Sequence, residues 1–103
     1  MGYRSEIYIQ VEKELENDLI ELFIKHDLEN AFKKQDETET TVKYSGDWLK
    51  WYEGYEDVDA INSFINENED KAALIGIGED GAESANEGSP DNFDMYVVST
   101  IEW

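Results

Sequence analysis

The chain has 103 residues, 40% of them hydrophobic and 13% aromatic, and its 26 acids against eight bases give a formal net charge of −18. This length supports one domain with a single modest core, and the apolar fraction is high enough that the charge does not imply disorder. So acidic a balance excludes direct nucleic-acid binding, which depends on lysine and arginine neutralising phosphates. Without cysteine there is also no disulfide framework and no thiolate zinc site.

The start, MGYRSEIYIQVEKE, carries charge from residue four and is followed by no long apolar run. It predicts neither a signal peptide nor a membrane span, and the cytoplasm is the expected compartment. In SEIYIQV (5–11), Ile7, Ile9 and Val11 alternate with Glu6, Tyr8 and Gln10, the pattern of a half-buried strand. KELENDLIELFIK follows as a helix with Leu15, Leu19, Leu22, Phe23 and Ile20 on one side, interrupted near His26-Asp27. LENAFKK reads as a further helical turn carrying Leu28 and Phe32, and QDETE as a polar loop.

TTVKY (40–44) and WLKWY (48–52) flank Ser45-Gly46-Asp47, which predicts a hairpin turning at the glycine. Asp57 is placed to cap a helix bearing Val58, Ile61, Phe64 and Ile65, and acids at a helix N-terminus are favoured by its dipole. AALIGIG (72–78) is apolar on both parities, as a strand covered on both sides would be. EDGAESANEGSPDN then reads as a long acidic loop. FDMYVVSTIEW reads as a last strand, with Met95, Val97 and Ile101 alternating with Asp94, Tyr96 and Glu102.

The order is β-α-β-β-α-β-β. It predicts a single α+β domain over residues 1–103: a ferredoxin-like β-α-β-β-α-β sheet with helices on one face and an additional C-terminal antiparallel strand. In WLKWY, Trp48 and Tyr52 point one way and Leu49 and Trp51 the other, so one pair is expected on the uncovered sheet face. Tyr8 and Tyr96 fall on the polar parity of their strands. An aromatic sheet face of this kind resembles a base-stacking platform, but the charge is wrong for that use, and a protein-facing surface is the better reading.

Catalysis has little to stand on. There is one histidine and one arginine, and no nucleophile elbow, P-loop or HExxH pattern occurs. His26 beside Asp27 resembles a base with its orienting acid, yet a helix end makes a local surface role the simpler one. GIGEDG is followed by acids rather than a helix, so it is no dinucleotide fingerprint. Neither EDVDAINSF nor EDGAESANEGSPDNFD has EF-hand spacing. No cofactor and no dedicated metal site are expected, and the loop around Asp80, Glu83 and Glu87 offers weak divalent-cation association at most.

The acid excess is uneven. Residues 1–52 hold 12 acids and seven bases, whereas residues 53–103 hold 14 acids and one base, Lys71. One charge run is normally a solvated face. Three runs with a single base imply a use, because carboxylates that survive their own repulsion can imitate a phosphate array and occupy a lysine- and arginine-lined site. The expected partner is therefore a basic surface. Glu53, Glu56, Asp57, Asp59, Glu67, Glu69, Asp70, Glu79, Asp80, Glu83 and Glu87 would supply charge to it. Trp48, Trp51, Tyr52 and Tyr55 would supply buried area.

MGYRS at the start, SGDWLKWYEGYEDVDAI in the middle, and IGED followed by an EGSP-containing loop resemble a group of small acidic proteins encoded by bacteriophages. The resemblance covers most of the chain and transfers no catalytic residue. It implies a phage protein acting in a bacterial host cytoplasm. Small acidic phage proteins include DNA-mimicking inhibitors of restriction enzymes and of CRISPR effectors, and by that class analogy the expected role is non-enzymatic inhibition of a host nucleic-acid-binding defence protein. The alternative is a protein-interaction module working through an aromatic sheet face or a sheet edge, with charge serving solubility. A small catalytic or ligand-binding domain with its cleft near His26 is a third reading.

Overall fold

In the computed structural model, residues 4–52, 54–79, 81, 83–93, 96–97 and 101–102 are described. They form an α+β domain: a five-stranded antiparallel sheet in the order β2-β3-β1-β4-β5, with two helices. The strands are β1 (Ser5–Glu12), β2 (Lys33–Glu37), β3 (Thr41–Leu49), β4 (Ala72–Gly78) and β5 (Glu83–Gly88). The helices are α1 (Glu16–Lys25), between β1 and β2, and α2 (Glu56–Glu67), between β3 and β4. A separate two-stranded pairing joins β6 (Tyr96–Val97) to β7 (Ile101–Glu102).

Alternation in β1 organises the core. Its register sets Val42, Val11 and Ala72 in one row across the sheet, Tyr44, Ile9 and Leu74 in the next, and Gly46, Ile7 and Gly76 in a third. These rows share one buried cluster with Leu19 and Phe23 of α1 and Val58, Ile61 and Ile65 of α2. On the opposite parity, Ala73, Ile75 and Ile77 form a smaller cluster with Tyr8 and Phe93, so β4 is buried along its whole length. Each helix therefore has a strand row to cover, and burial of its apolar stripe rather than propensity holds it in place.

The structure departs from expectation in three regions. The hairpin turns not at Ser45-Gly46-Asp47 but at Glu39-Thr40, where the Thr38 hydroxyl accepts the Thr40 and Thr41 N–H groups at 3.2 and 3.0 Å. A threonine hydroxyl can mimic a backbone turn, and QDETE lacked the glycine that usually marks one. Gly46 instead lies inside β3, where a Cβ would stand 2.7 Å from the Ala31 carbonyl oxygen, so the glycine permits close approach. KKQDE is an edge strand exposed throughout, which is why its sequence has no apolar alternation. The segment expected as a helical turn supplies Leu28 and Phe32 to the core through a turn, and the Phe32 ring stacks on Phe23 at 4.7 Å.

Second, the acidic segment after β4 is not wholly loop. Residues 83–88 are β5, the fifth strand of the sheet, and the strand expected at the chain end belongs to the separate β6–β7 pair. The expected alternation of Met95 with Asp94 lies outside the described residues. Third, Asp57 does not cap α2. The N-cap is Tyr55, without a side-chain cap bond, and Asp57 sits in the first turn bonded to the Val58 N–H at 2.8 Å. Asp59 reaches back instead, accepting the Gly54 N–H at 3.0 Å.

Candidate functional site

Eight of the predicted charges lie on α2, the turn after it, and β5, the acidic flank of the domain. Glu56, Asp57 and Asp59 occupy the first turn of α2, where unpaired backbone N–H groups stabilise them. Glu67 is the last helical residue, about 16 Å from Glu56 at 1.5 Å per residue. Glu69 and Asp70 follow in the exposed turn to β4. Glu83 and Glu87 lie on the sheet edge, opposite Ile77 and Leu74.

Local hydrogen bonds fix part of this flank. The Asn66 side chain donates to Glu87 Oε2 at 2.7 Å, and its carbonyl accepts the Gly88 N–H at 3.0 Å, so one residue of α2 ties down the end of β5. Asn86 donates to Glu83 at 2.6 Å. Glu79 stands at the end of β4, its carboxylate accepting the Arg4 N–H at 2.8 Å while its own N–H donates to the Arg4 carbonyl. Glu53 and Asp80, also predicted for the site, lie outside the described residues.

Ion pairing divides the molecule. Among the described residues, Lys34 pairs with Glu16 at 2.5 Å and Glu37 at 2.6 Å, Lys13 with Glu37 at 2.9 Å, and Lys71 with Glu14 at 2.6 Å. Lys71, the single base of residues 53–103, is thus drawn to an acid of the first half. None of Glu56, Asp57, Asp59, Glu67, Glu69, Asp70, Glu79, Glu83 and Glu87 forms a salt bridge among the described residues, and Asp70 is the one near enough to Lys71 to help hold its charge. Lys34, Glu37 and their partners lie toward the β2 edge of the sheet and Glu83 and Glu87 on the β5 edge, while the Lys71–Glu14 pair stands beside Asp70.

The paired corner carries the perturbed acidities. Hydrogen bonds from Lys34 and then Lys13 hold the Glu37 carboxyl down at about 2, and Lys34 likewise lowers Glu16. The Tyr44 hydroxyl donates to Glu16 at 2.7 Å, and burial together with that bond pushes it up to about 12. Burial, followed by its hydrogen bond to Glu6, raises Tyr8 above the usual phenol range. These groups are held in fixed protonation states, which suits structural anchoring rather than proton transfer near neutrality. Among the described residues, no group of three or more His, Asp or Glu is arranged to hold a metal ion. His26 is the C-cap of α1, and Asp27 adopts a left-handed φ of +58° beyond it, which ends the helix where the sequence suggested.

The four aromatic residues part company. Trp51 is 8% exposed and meets Phe32 edge-on at 5.9 Å, so its ring belongs to the helix-covered core. The Trp48 side chain lies outside the described residues. Tyr52 is half-buried and meets Tyr55 edge-on at 5.5 Å, and Tyr55 is 47% exposed. Of the four, those that offer aromatic surface among the described residues are therefore Tyr52 and Tyr55, immediately before the acidic first turn of α2. Asn66 was not anticipated, and no periodicity marks it, because its role depends on a strand the sequence hid.

Comparison with known proteins finds no matching family model, no matching curated protein and no matching solved structure. No helix among the described residues is long and apolar enough to cross a membrane.

Proposed function

We propose that this chain is a phage-encoded, non-enzymatic inhibitor that occupies the nucleic-acid site of a host defence protein, a CRISPR effector or a restriction system, by acidic mimicry. The observation that carries the reading is the set of eight predicted carboxylates on α2, the turn after it and β5, none of which forms a salt bridge among the described residues. Keeping such an array unneutralised opposes folding through self-repulsion, and a lysine- and arginine-lined surface would relieve it while releasing counterions. Two groups of acids about 16 Å apart on one helix span roughly five steps of a nucleic-acid strand at 3.4 Å per step. The site of action on this reading is the host bacterial cytoplasm.

The fold fits the same purpose. The β2-β3-β1-β4-β5 order supports a ferredoxin-like arrangement with β5 appended beside β4, which carries Glu87 next to Asn66 of α2 and Glu83 on the opposite sheet face. A second reading is favoured by the exposed Tyr52–Tyr55 pair: a protein-interaction module anchored on aromatic contact, with charge serving solubility. The two respond differently to salt, because screening weakens charge-led contacts far more than aromatic burial.

The test is capture with the tagged chain from host bacterial lysate, washed across a salt series with duplex DNA as competitor. Mimicry predicts a nucleic-acid-binding host protein released by both salt and DNA. A partner that survives salt and ignores DNA transfers the function to the tyrosine pair.

A further inference from the structure

Between α1 and α2 lies an open groove of about 530 Å³. Leu22 and Phe64, both partly buried against the core, are its large apolar residues, with Ala60 beside them. Its exposed charged residues are Asp18, Glu21 and Glu67 against Lys25. None of these acids has a cationic partner among the described residues. Sequence periodicity assigned Leu22 and Phe64 to the core and left the groove unseen.

We propose that this groove receives a basic amphipathic helix of the partner protein. Resting on the cationic-partner reading above, this inference names where on the domain the partner docks and in what form. The apolar lining asks for leucine-like side chains at i, i+3, i+4 and i+7, the stripe one helix offers to a groove between two others. The acids ask for lysine or arginine on either side of that stripe, where carboxylate contacts both attract the helix and set its register. α1 supplies Asp18, Glu21, Leu22 and Lys25, and the span from 18 to 25 is about 10 Å, two turns of an incoming helix. An acidic segment fails the demand for charge, and a wholly polar one fails the demand for apolar contact.

The probe is a synthetic peptide of roughly 18 residues, leucines on one face and lysines and arginines on the other, compared with a scramble of equal composition. Binding is read by tryptophan fluorescence or calorimetry on the intact chain. The patterned peptide should bind roughly tenfold or more tightly than the scramble. Ser63→Trp, which fills the groove from an exposed position and changes no charge, should remove that advantage. Glu21→Lys with Glu67→Lys should do the same. Glu29→Lys with Glu39→Lys, equal in charge change but outside both the groove and the acidic flank, should leave the advantage in place. Circular dichroism of each variant establishes that it is folded. Equal binding of the two peptides, or a folded Ser63→Trp that keeps the preference, overturns the groove. Cationic binding that falls with Glu83→Lys and Glu87→Lys but not with Glu21→Lys and Glu67→Lys removes the groove and leaves a cationic partner standing, whereas no binding of either peptide removes both.

Discussion

Gly88 closes β5 against α2 with a φ of +72°, and a Cβ there would stand 2.2 Å from the Ala72 carbonyl oxygen and 2.7 Å from Ile65 Cγ2. Gly88→Ala therefore meets two penalties. The left-handed conformation costs about 1–2 kcal/mol for a residue with a Cβ. Overlap with a backbone oxygen that cannot turn aside adds about 1–3 kcal/mol. The substitution should destabilise the domain by about 3 kcal/mol, a fall in Tm of about 15 °C for a chain of this size. Thermal and urea unfolding followed by circular dichroism measure it. Gly54→Ala is the control, because Gly54 has a φ of +93° with nothing within 4 Å and should show the conformational penalty alone. If Gly88→Ala is no worse than Gly54→Ala, the end of β5 does not close on α2. Glu87 is then not held against Asn66, and the acidic flank loses its scaffold.

Lysine at Glu56, Glu69 and Asp70 together should abolish partner binding with the fold retained, since all three are exposed; unaltered affinity in the folded variant would remove that flank from the interface. Asp59 is spared in that design because its carboxylate accepts the Gly54 N–H. Trp51→Ala should cost about 3–5 kcal/mol as a buried aromatic, and Tyr55→Ala less than about 1 kcal/mol; comparable losses in denaturant unfolding would place Tyr55 in the core instead. In an NMR titration the Glu37 carboxyl should keep its charge to a pH near 2, and Lys34→Met should move its midpoint up toward 4.5. With the folded acidity depressed, the Glu37 contribution to stability is complete above 4.5 and is lost as pH falls through about 2; a wild-type midpoint at 4.5 would refute the bridge.

Elements whose apolar residues recur with a clear period were legible in the sequence, namely β1, α1 and α2, as was β4 by its unbroken apolar run. Their burial follows the pattern that Ile7, Ile9 and Val11, or Val58, Ile61 and Ile65, set out. β2 and β5 were hidden because both are polar edge strands, KKQDE and ESANEG, whose pairing is dictated by a neighbour rather than by their own side chains. Missing β2 also displaced the hairpin, since SGD carries the usual turn residues and TETT does not. The acidic flank was readable as composition, but its assembly was not. Bringing Glu87 to Asn66 required β5, and separating buried Trp51 from exposed Tyr55 required the chain to leave the sheet after Leu49. In WLKWYEGYEDVDA the tryptophan at 51 turns inward, while the tyrosine at 55 and the acids after it face water.

The most direct measurement is a competition on the captured host protein, with fluorescently labelled duplex DNA bound to it and the acidic chain titrated in. Mimicry predicts complete displacement of the DNA, with mutually exclusive binding and an affinity for the chain that falls steeply as salt rises. A stable ternary complex, with DNA and the chain bound together at every salt concentration, would contradict it.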